Sequence, residues 1–243
     1  MTSPLILPKD DDSDGESYPS LEEIKELPRL KLQDLGGNVC IRGIQNSGKG
    51  ILQVKFVNRL IWRYGYDWAE VYSNFHWWVK KPIFVINGVV KHGSPPPGAR
   101  IIREGIPIPG YHYLDNEHMR KWVRKVYRKS RGLIRHIIIV IDEIDQVYSH
   151  LESMIDAEAR EDLLTLFQDK KLEIFFIYTK HQGLGVNKII RSATEISMKP
   201  YFDRRFDTLY GLVIDGFTMS KRVLVFRHAS DAFPHYDRWE YIF

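Results

Sequence analysis

The sequence predicts a three-layer α/β protein with a mostly parallel central sheet, an inserted hairpin and C-terminal antiparallel strands. Three observations carry that expectation. The apolar run Val39–Cys40–Ile41 leads through a glycine-rich turn into an amphipathic pattern from about Lys49 to Trp62, which is the order strand, turn, helix. The run Ile137–Ile141 is wholly apolar, as a central parallel strand covered on both faces must be. Near the end of the chain, Tyr210–Ile214 and Val223–Phe226 flank the turn-rich stretch Asp215–Lys221, a strand pair that extends the sheet.

The remaining elements fall between these landmarks. A second strand is expected at Ala69–Tyr72, and an insertion at about 75–115. The insertion carries Asn87–Gly88 between Ile83–Ile86 and Val89–Val90, the composition of a tight hairpin, and a turn at Pro95–Pro96–Pro97–Gly98. Glu173–Tyr178 repeats the character of Ile137–Ile141, and Glu195–Met198 adds another strand. Residues 1–28 read as an acidic, disordered tail, because Lys9–Ser20 combines acids with Ser, Gly and Pro and lacks apolar periodicity. Residues 29–243 then form one domain.

Composition narrows the class. With 44% hydrophobic and 27% charged residues in 243, the chain fits a soluble globular protein with a full core. No apolar run reaches the ~20 residues of a membrane span, and the N-terminus lacks a secretory pattern, so neither stable membrane insertion nor secretion is expected. The single cysteine, Cys40, is flanked by Val39 and Ile41 and reads as a small buried strand residue. The net charge of +4 is uneven: residues 1–28 hold eight acids and two bases, hence −6, which leaves +10 for the rest. A basic body of this kind suits a protein that meets a polyanion.

The glycine-rich turn is specific. Gly43–Ile44–Gln45–Asn46–Ser47–Gly48–Lys49–Gly50 follows a strand and opens a helix, the context in which backbone N–H groups and a helix N-terminus cradle phosphates. Lys49 would reach the β- and γ-phosphates of ATP. Gly50 stands where the pattern G-x-x-x-x-G-K-[ST] has the hydroxyl that ligates Mg²⁺, so a water or Ser47 would have to replace that ligand. The expected fold is therefore that of a P-loop NTPase.

The apolar strand Ile137–Ile141 ends in Asp142–Glu143, a Walker B pattern. Asp142 would hold Mg²⁺ and Glu143 would act as general base on the attacking water, which places ATP hydrolysis at the C-terminal edge of a parallel sheet. Glu173–Tyr178 leads into Thr179–Lys180–His181–Gln182, where Thr179 or Gln182 would sense the γ-phosphate. Ala69–Tyr72 exits through Ser73–Asn74 onto the same edge.

Taken together, these motifs resemble the viral and phage branch of the FtsK–HerA superfamily of DNA-translocating ATPases, which includes genome-packaging ATPases and Zot-like proteins. The resemblance runs from about Asn38 to Met198. It rests on Gly43–Gly50, Val71–Tyr72–Ser73–Asn74, Ile139–Val140–Ile141–Asp142–Glu143, and Ile177–Tyr178–Thr179 with Val186–Asn187–Lys188–Ile189–Ile190–Arg191. The family usually places a glutamine directly after the Thr or Ser; here Lys180 follows, and the nearest glutamine is Gln182. The resemblance implies a homo-oligomeric ring, commonly a hexamer, that threads double-stranded DNA. It also implies an arginine acting in trans, for which Arg191, Arg204 and Arg205 are candidates. The function expected is packaging of viral DNA into a capsid, with a capsid or portal-vertex protein as partner, in the host cytoplasm or the virion. The alternatives are a Zot-like assembly or export ATPase and a nucleotide-binding structural protein that has lost hydrolysis.

Bases and aromatics supply candidate DNA contacts. Met119, Trp122, Val123, Val126 and Tyr127 recur at helical spacing, and Arg120, Lys121, Arg124, Lys125, Arg128 and Lys129 fill the other side. That cationic face reads as phosphate contact or as a solvated surface. Trp77 and Trp78 would stack on bases or pack, and the histidines show no metal-ligand spacing.

Overall fold

The computed structural model describes residues 19–31, 37–43, 47–65, 69–93, 95–116, 118–119, 136–148, 174–181, 188–232 and 236–237. In chain order the strands are β1 (Asn38–Gly43), β2 (Ala69–Ser73), β3 (His76–Lys80), β4 (Ile83–Ile86), β5 (Val89–His92), β6 (Arg100–Arg103), β7 (Ile106–Pro107) and β8 (Tyr111–Tyr113). They continue with β9 (His136–Ile141), β10 (Ile174–His181), β11 (Ile196–Asp203), β12 (Thr208–Asp215), β13 (Lys221–Arg227) and β14 (Tyr236–Asp237). The main helices are α1 (Leu21–Glu26) and α2 (Lys49–Tyr64), with short helices at Ile144–Val147 and Lys188–Ser192.

Among the described residues, eight strands form one sheet in the order β13-β12-β11-β1-β10-β9-β2-β8. From β11 to β8 every neighbouring pair is parallel, and β12 and β13 add to the β11 edge as antiparallel strands. This is the α/β arrangement that the sequence predicts. Alternation along the strands sends residues to two cores. Val39, Ile41, Val140 and Ile177 pack with Leu52, Phe56, Val57 and Leu60 of α2 on one face. Cys40, Ile139, Ile141 and Tyr178 pack with Ile144, Val147 and Ile190 on the other. Both faces of β9 are thus buried, which is why its sequence is a continuous apolar run.

The hairpin forms where Asn87 and Gly88 place it. Both residues have positive φ, 51° and 75°, the type I′ geometry whose twist matches the paired strands, and Ile86 faces Val89 across the loop. β4, β5 and β6 make a separate three-stranded sheet, and β3 pairs with β7 and β14 in another. The end of the segment 75–115 belongs to the main sheet, because β8 lies parallel to β2.

Three boundaries differ from the sequence reading. α1 lies inside the stretch read as a disordered tail. Ser20 and Glu23 form a reciprocal capping box, Ile24 is fully buried with Leu212 and Val223, and Lys25 meets Asp203 at 2.9 Å. A short acidic segment thus becomes ordered through its cap and one apolar anchor. β11 continues five residues past Met198, through Pro200. Its partner β1 ends its pairing at Met198, and Pro200 faces Gly211 of β12, so the missing N–H removes no bond on the β1 side. β10 runs on through Thr179 to His181 because β1 continues beside it as far as Gly43.

The docking of α1 is testable. Ile24→Ala is expected to lower stability by about 2–4 kcal/mol through a cavity against the β12 and β13 face. Ser20→Ala is expected to cost about 1 kcal/mol through loss of the cap. Denaturant midpoints of the two variants check both values.

Candidate nucleotide-phosphate site

Strand register brings four strand ends to one edge. Gly43 of β1 faces His181 of β10, Tyr178 of β10 faces Ile141 of β9, and Val140 of β9 faces Ser73 of β2. The residues that follow, Ser47–Gly50, Thr179, Asp142–Glu143 and Asn74, therefore emerge together at the C-terminal edge of the parallel strands, where ligands bind in open α/β sheets. Because β10 lies between β1 and β9, Thr179 stands between the phosphate loop and the acidic pair.

On the loop side, the first turn of α2 is closed by Lys49. This residue is 3% exposed, and its Nζ donates to the Gly43 carbonyl at 2.8 Å. A buried ammonium at the N-terminus of a helix is placed to meet an anion. Two glycines are required by the backbone. Gly48 caps α2 with φ +93°, and a Cβ at Gly43 would lie 2.7 Å from Ser47 Oγ. Ser47 Oγ is itself buried and has no hydrogen-bond partner among the described residues. An orphaned hydroxyl, a buried lysine and the N-terminus of a 16-residue helix at one loop fit a phosphate group. Gly50 brings no hydroxyl to this site. Ile44, Gln45 and Asn46 lie outside the described residues.

On the acid side, one hydroxyl serves two residues. Thr179, fully buried, donates from Oγ1 to Asp142 Oδ1 and accepts from the Glu143 N–H at 2.8 Å. Glu143 has φ 54° and ψ 68°, a left-handed conformation rare for a residue with a side chain and found where surrounding bonds over-determine the backbone. It also caps the helix Ile144–Val147, its carbonyl accepting from the Gln146 N–H at 2.9 Å and its carboxylate from the Gln146 side chain. Among the described residues no three or more His, Cys, Asp or Glu are placed to hold a metal on protein ligands alone. Mg²⁺ held by one carboxylate and the phosphates of a nucleotide makes a smaller demand, and Asp142 with Ser47 offers donors of that kind.

Two contributors were not read from the sequence. Asn74 brackets the Asp142 backbone with bonds of 2.8 and 2.9 Å, a role beyond the polar strand exit and the Val71–Asn74 motif in which the sequence showed it. Gln53, fully buried on α2, donates to the Ile141 carbonyl at 3.2 Å and so ties this helix to the end of β9. A polar residue among Leu52, Val54 and Phe56 on the apolar side of α2 was the available signal.

Other candidates fall elsewhere. Arg191 sits on Lys188–Ser192, and the following Ala193 carbonyl accepts from Asn38 at the start of β1, so within this chain Arg191 belongs to the sheet edge opposite the loop. Arg204 and Arg205 are exposed in the turn between β11 and β12, which projects on the loop's side of the sheet. Trp77 is 1% exposed in the core and is not available for stacking on bases. Gln182 and the basic residues 120–129 lie outside the described residues. Met119 is buried, and the bonds from the Met119 and His118 N–H groups to Asp115 have the geometry of a helix start.

The Thr179 bridge predicts a measurable energy. Thr179→Val keeps the shape but leaves the Glu143 N–H and the Asp142 carboxylate without this partner, which should cost about 1–3 kcal/mol in a denaturant titration.

No protein-family model matches the chain, and no curated protein matches it in sequence. The N-terminal domain of zonular occludens toxin from Neisseria meningitidis is similar in structure over 84% of this chain and 100% of that one, at 12% identity and a TM-score of 0.46. The genome packaging NTPase of Sulfolobus turreted icosahedral virus 2 with AMPPCP is similar over 77% of this chain and 96% of that one, at 12% identity and a TM-score of 0.48. A KaiC-like protein from Pyrococcus horikoshii is similar over 92% of this chain and 100% of that one, at 15% identity and a TM-score of 0.42. The strand order and register of the chain itself are those of an α/β protein with the Gly43–Gly50 turn at the C-terminal edge of its parallel strands.

Proposed function

We propose that the protein hydrolyses ATP and uses the energy to move double-stranded DNA, as a homo-oligomeric ring that packages viral DNA. The observation that carries the hydrolytic part is the Thr179 bridge: it sets the acidic pair Asp142–Glu143 beside the loop that Lys49 closes.

In this reading the ATPase unit is residues 29–243 together with α1 docked on β12 and β13, and the loop Gly43–Gly50 binds the phosphates. Lys49 supplies positive charge to the β- and γ-phosphates in place of its bond to the Gly43 carbonyl. Glu143 accepts the proton of the attacking water, and Thr179 holds its backbone so that the carboxylate has a defined approach. Asp142 would hold Mg²⁺, with Ser47 as the hydroxyl nearest to the role that Gly50 lacks; the ion, when bound, neutralises charge on the phosphate oxygens. Thr179 or Gln182 senses the γ-phosphate, Thr179 through its bridge to the acidic pair. Arg191, Arg204 and Arg205 are the candidates for an arginine that acts on a neighbour's site.

The motif resemblance to DNA-translocating ATPases and the basic face of residues 119–129 support the DNA part. A capsid or portal-vertex protein would be the docking partner. No helix among the described residues is long and apolar enough to cross a membrane. A second reading, a nucleotide-binding structural protein, is favoured by Gly50 alone, and measured turnover separates the two.

Lys49→Ala should lose ATP binding, measured by calorimetry. Glu143→Gln should bind ATP and turn over slower by about 10²-fold or more. Parent-like hydrolysis by Glu143→Gln would place the base elsewhere.

DNA contact has its own test. Binding should be insensitive to sequence and weaken steeply with salt, and the double change Arg124→Gln with Arg128→Gln should flatten the log–log salt slope by about two units. DNA stimulation of hydrolysis should shrink while basal turnover remains. An unchanged slope would make this face a solvated surface.

A further inference from the structure

Asn74 follows the last residue of β2 and is 2% exposed. Its amide holds Asp142 from both sides: Nδ2 donates to the Asp142 carbonyl at 2.9 Å, and the Asp142 N–H donates to Oδ1 at 2.8 Å. This pair of bonds fixes the orientation of the amide, because exchanging its oxygen and nitrogen would set donor against donor and acceptor against acceptor. The regular β2–β9 ladder ends with Ser73 opposite Val140. Beyond that rung the side chain of Asn74 takes over from the backbone, which frees the chain to turn away into β3.

The amide makes a third bond. Nδ2 also donates to Asn116 Oδ1 at 2.9 Å, and beside it the Leu114 N–H donates to the Ser73 carbonyl at 2.9 Å. Residues 73–74 lead into the inserted strands β3 to β7, and residues 114–116 lead out of β8 toward the basic stretch that begins at Met119. The stem of the insert and the acidic pair therefore share one side chain. The next residue, Glu143, holds its left-handed backbone between this clamp and the Thr179 hydroxyl.

We propose that Asn74 is the positioning residue of the hydrolytic site: it holds the backbone of Asp142 so that Glu143 keeps its left-handed conformation, and through Asn116 it makes that conformation depend on the stem of the insert. The inference rests on the ATPase reading above and deepens it. A ligand that shifts the stem would change turnover and leave nucleotide affinity alone, since β9 and β10 separate β2 from β1, the strand that leads into the loop.

The test uses the full chain and the variants Asn74→Asp, Asn74→Ala and Asn116→Ala. Asp keeps the size and the acceptor for the Asp142 N–H but sets an oxygen against the Asp142 carbonyl. Both Asn74 variants should lower kcat by about ten-fold or more with KM for ATP within about two-fold of the parent, as misplacement of a catalytic group predicts. Amide hydrogen exchange should accelerate over residues 141–146 and stay unchanged over β1 and α2. Asn116→Ala should give a smaller change in the same direction. Parent-like kcat in both Asn74 variants, with parent-like exchange over 141–146, overturns the proposal while leaving the ATPase reading intact. If the parent chain itself does not hydrolyse ATP, that reading falls, and exchange alone decides the clamp: unchanged protection in Asn74→Asp overturns it. Should Asn74→Ala lose the fold, Asn74→Asp and Asn116→Ala carry the same comparison.

Discussion

The hydroxyl of Thr179 donates to one acid and accepts from the backbone of the next, and the arrangement of the candidate site depends on that double bond. It is available because β10 lies between β1 and β9, so its first residue beyond the Tyr178–Ile141 rung stands level with Asp142. A buried hydroxyl with donor and acceptor both used has one orientation and little freedom. The acids on its far side and the loop on its near side are thereby held on one rigid frame, as a constellation of reacting groups needs to be.

The rest of the edge follows the same logic of side chains completing what the ladder leaves open. Past the last backbone rungs, Asn74 bonds the peptide groups of Asp142, Gln53 bonds the carbonyl of Ile141, and Thr179 bonds the N–H of Glu143. Each is buried, so each bond forms where water does not compete and an unmade one would be costly. The polar residues at this edge are few, and they are placed where strand ends would otherwise bury unpaired backbone groups. Ser47 Oγ, the one hydroxyl of the loop, and Gln53 Oε1 are buried without a partner among the described residues.

The periphery is built differently. β12 and β13 pair antiparallel and carry α1 on the face away from α2, anchored by Ile24 and by the Lys25–Asp203 ion pair. The Asp203 carboxylate lies below its ordinary range chiefly because Lys25 bonds it. Its contribution to anchoring α1 is therefore present above the usual carboxylate range and is lost as pH falls through it. The inserted sheet β4 to β6 leaves Val89, Val90, Ile101 and Ile102 exposed.

The sequence by itself determined the elements whose signals are local. The Gly43–Gly50 turn needs glycine at Gly48 for its positive φ, Asn87–Gly88 specifies a type I′ turn, and β9 is apolar throughout because two cores cover it. Those are properties of a backbone angle or of a strand's own faces, so a few neighbouring residues encode them. The cap of α1 was equally local, in Ser20 and Glu23, and an acidic composition masked it. Tertiary structure alone decided the rest. Asn74 and Asp142 are 68 residues apart, Thr179 and Asp142 are 37 apart, and Gln53 reaches Ile141 across 88. Strand order and register bring those pairs together, and neither is written in the spacing of residues along one strand. Pro200 shows the same limit from the other side: the residue argues against a strand, and β11 passes through it because β1 has already ended its pairing there.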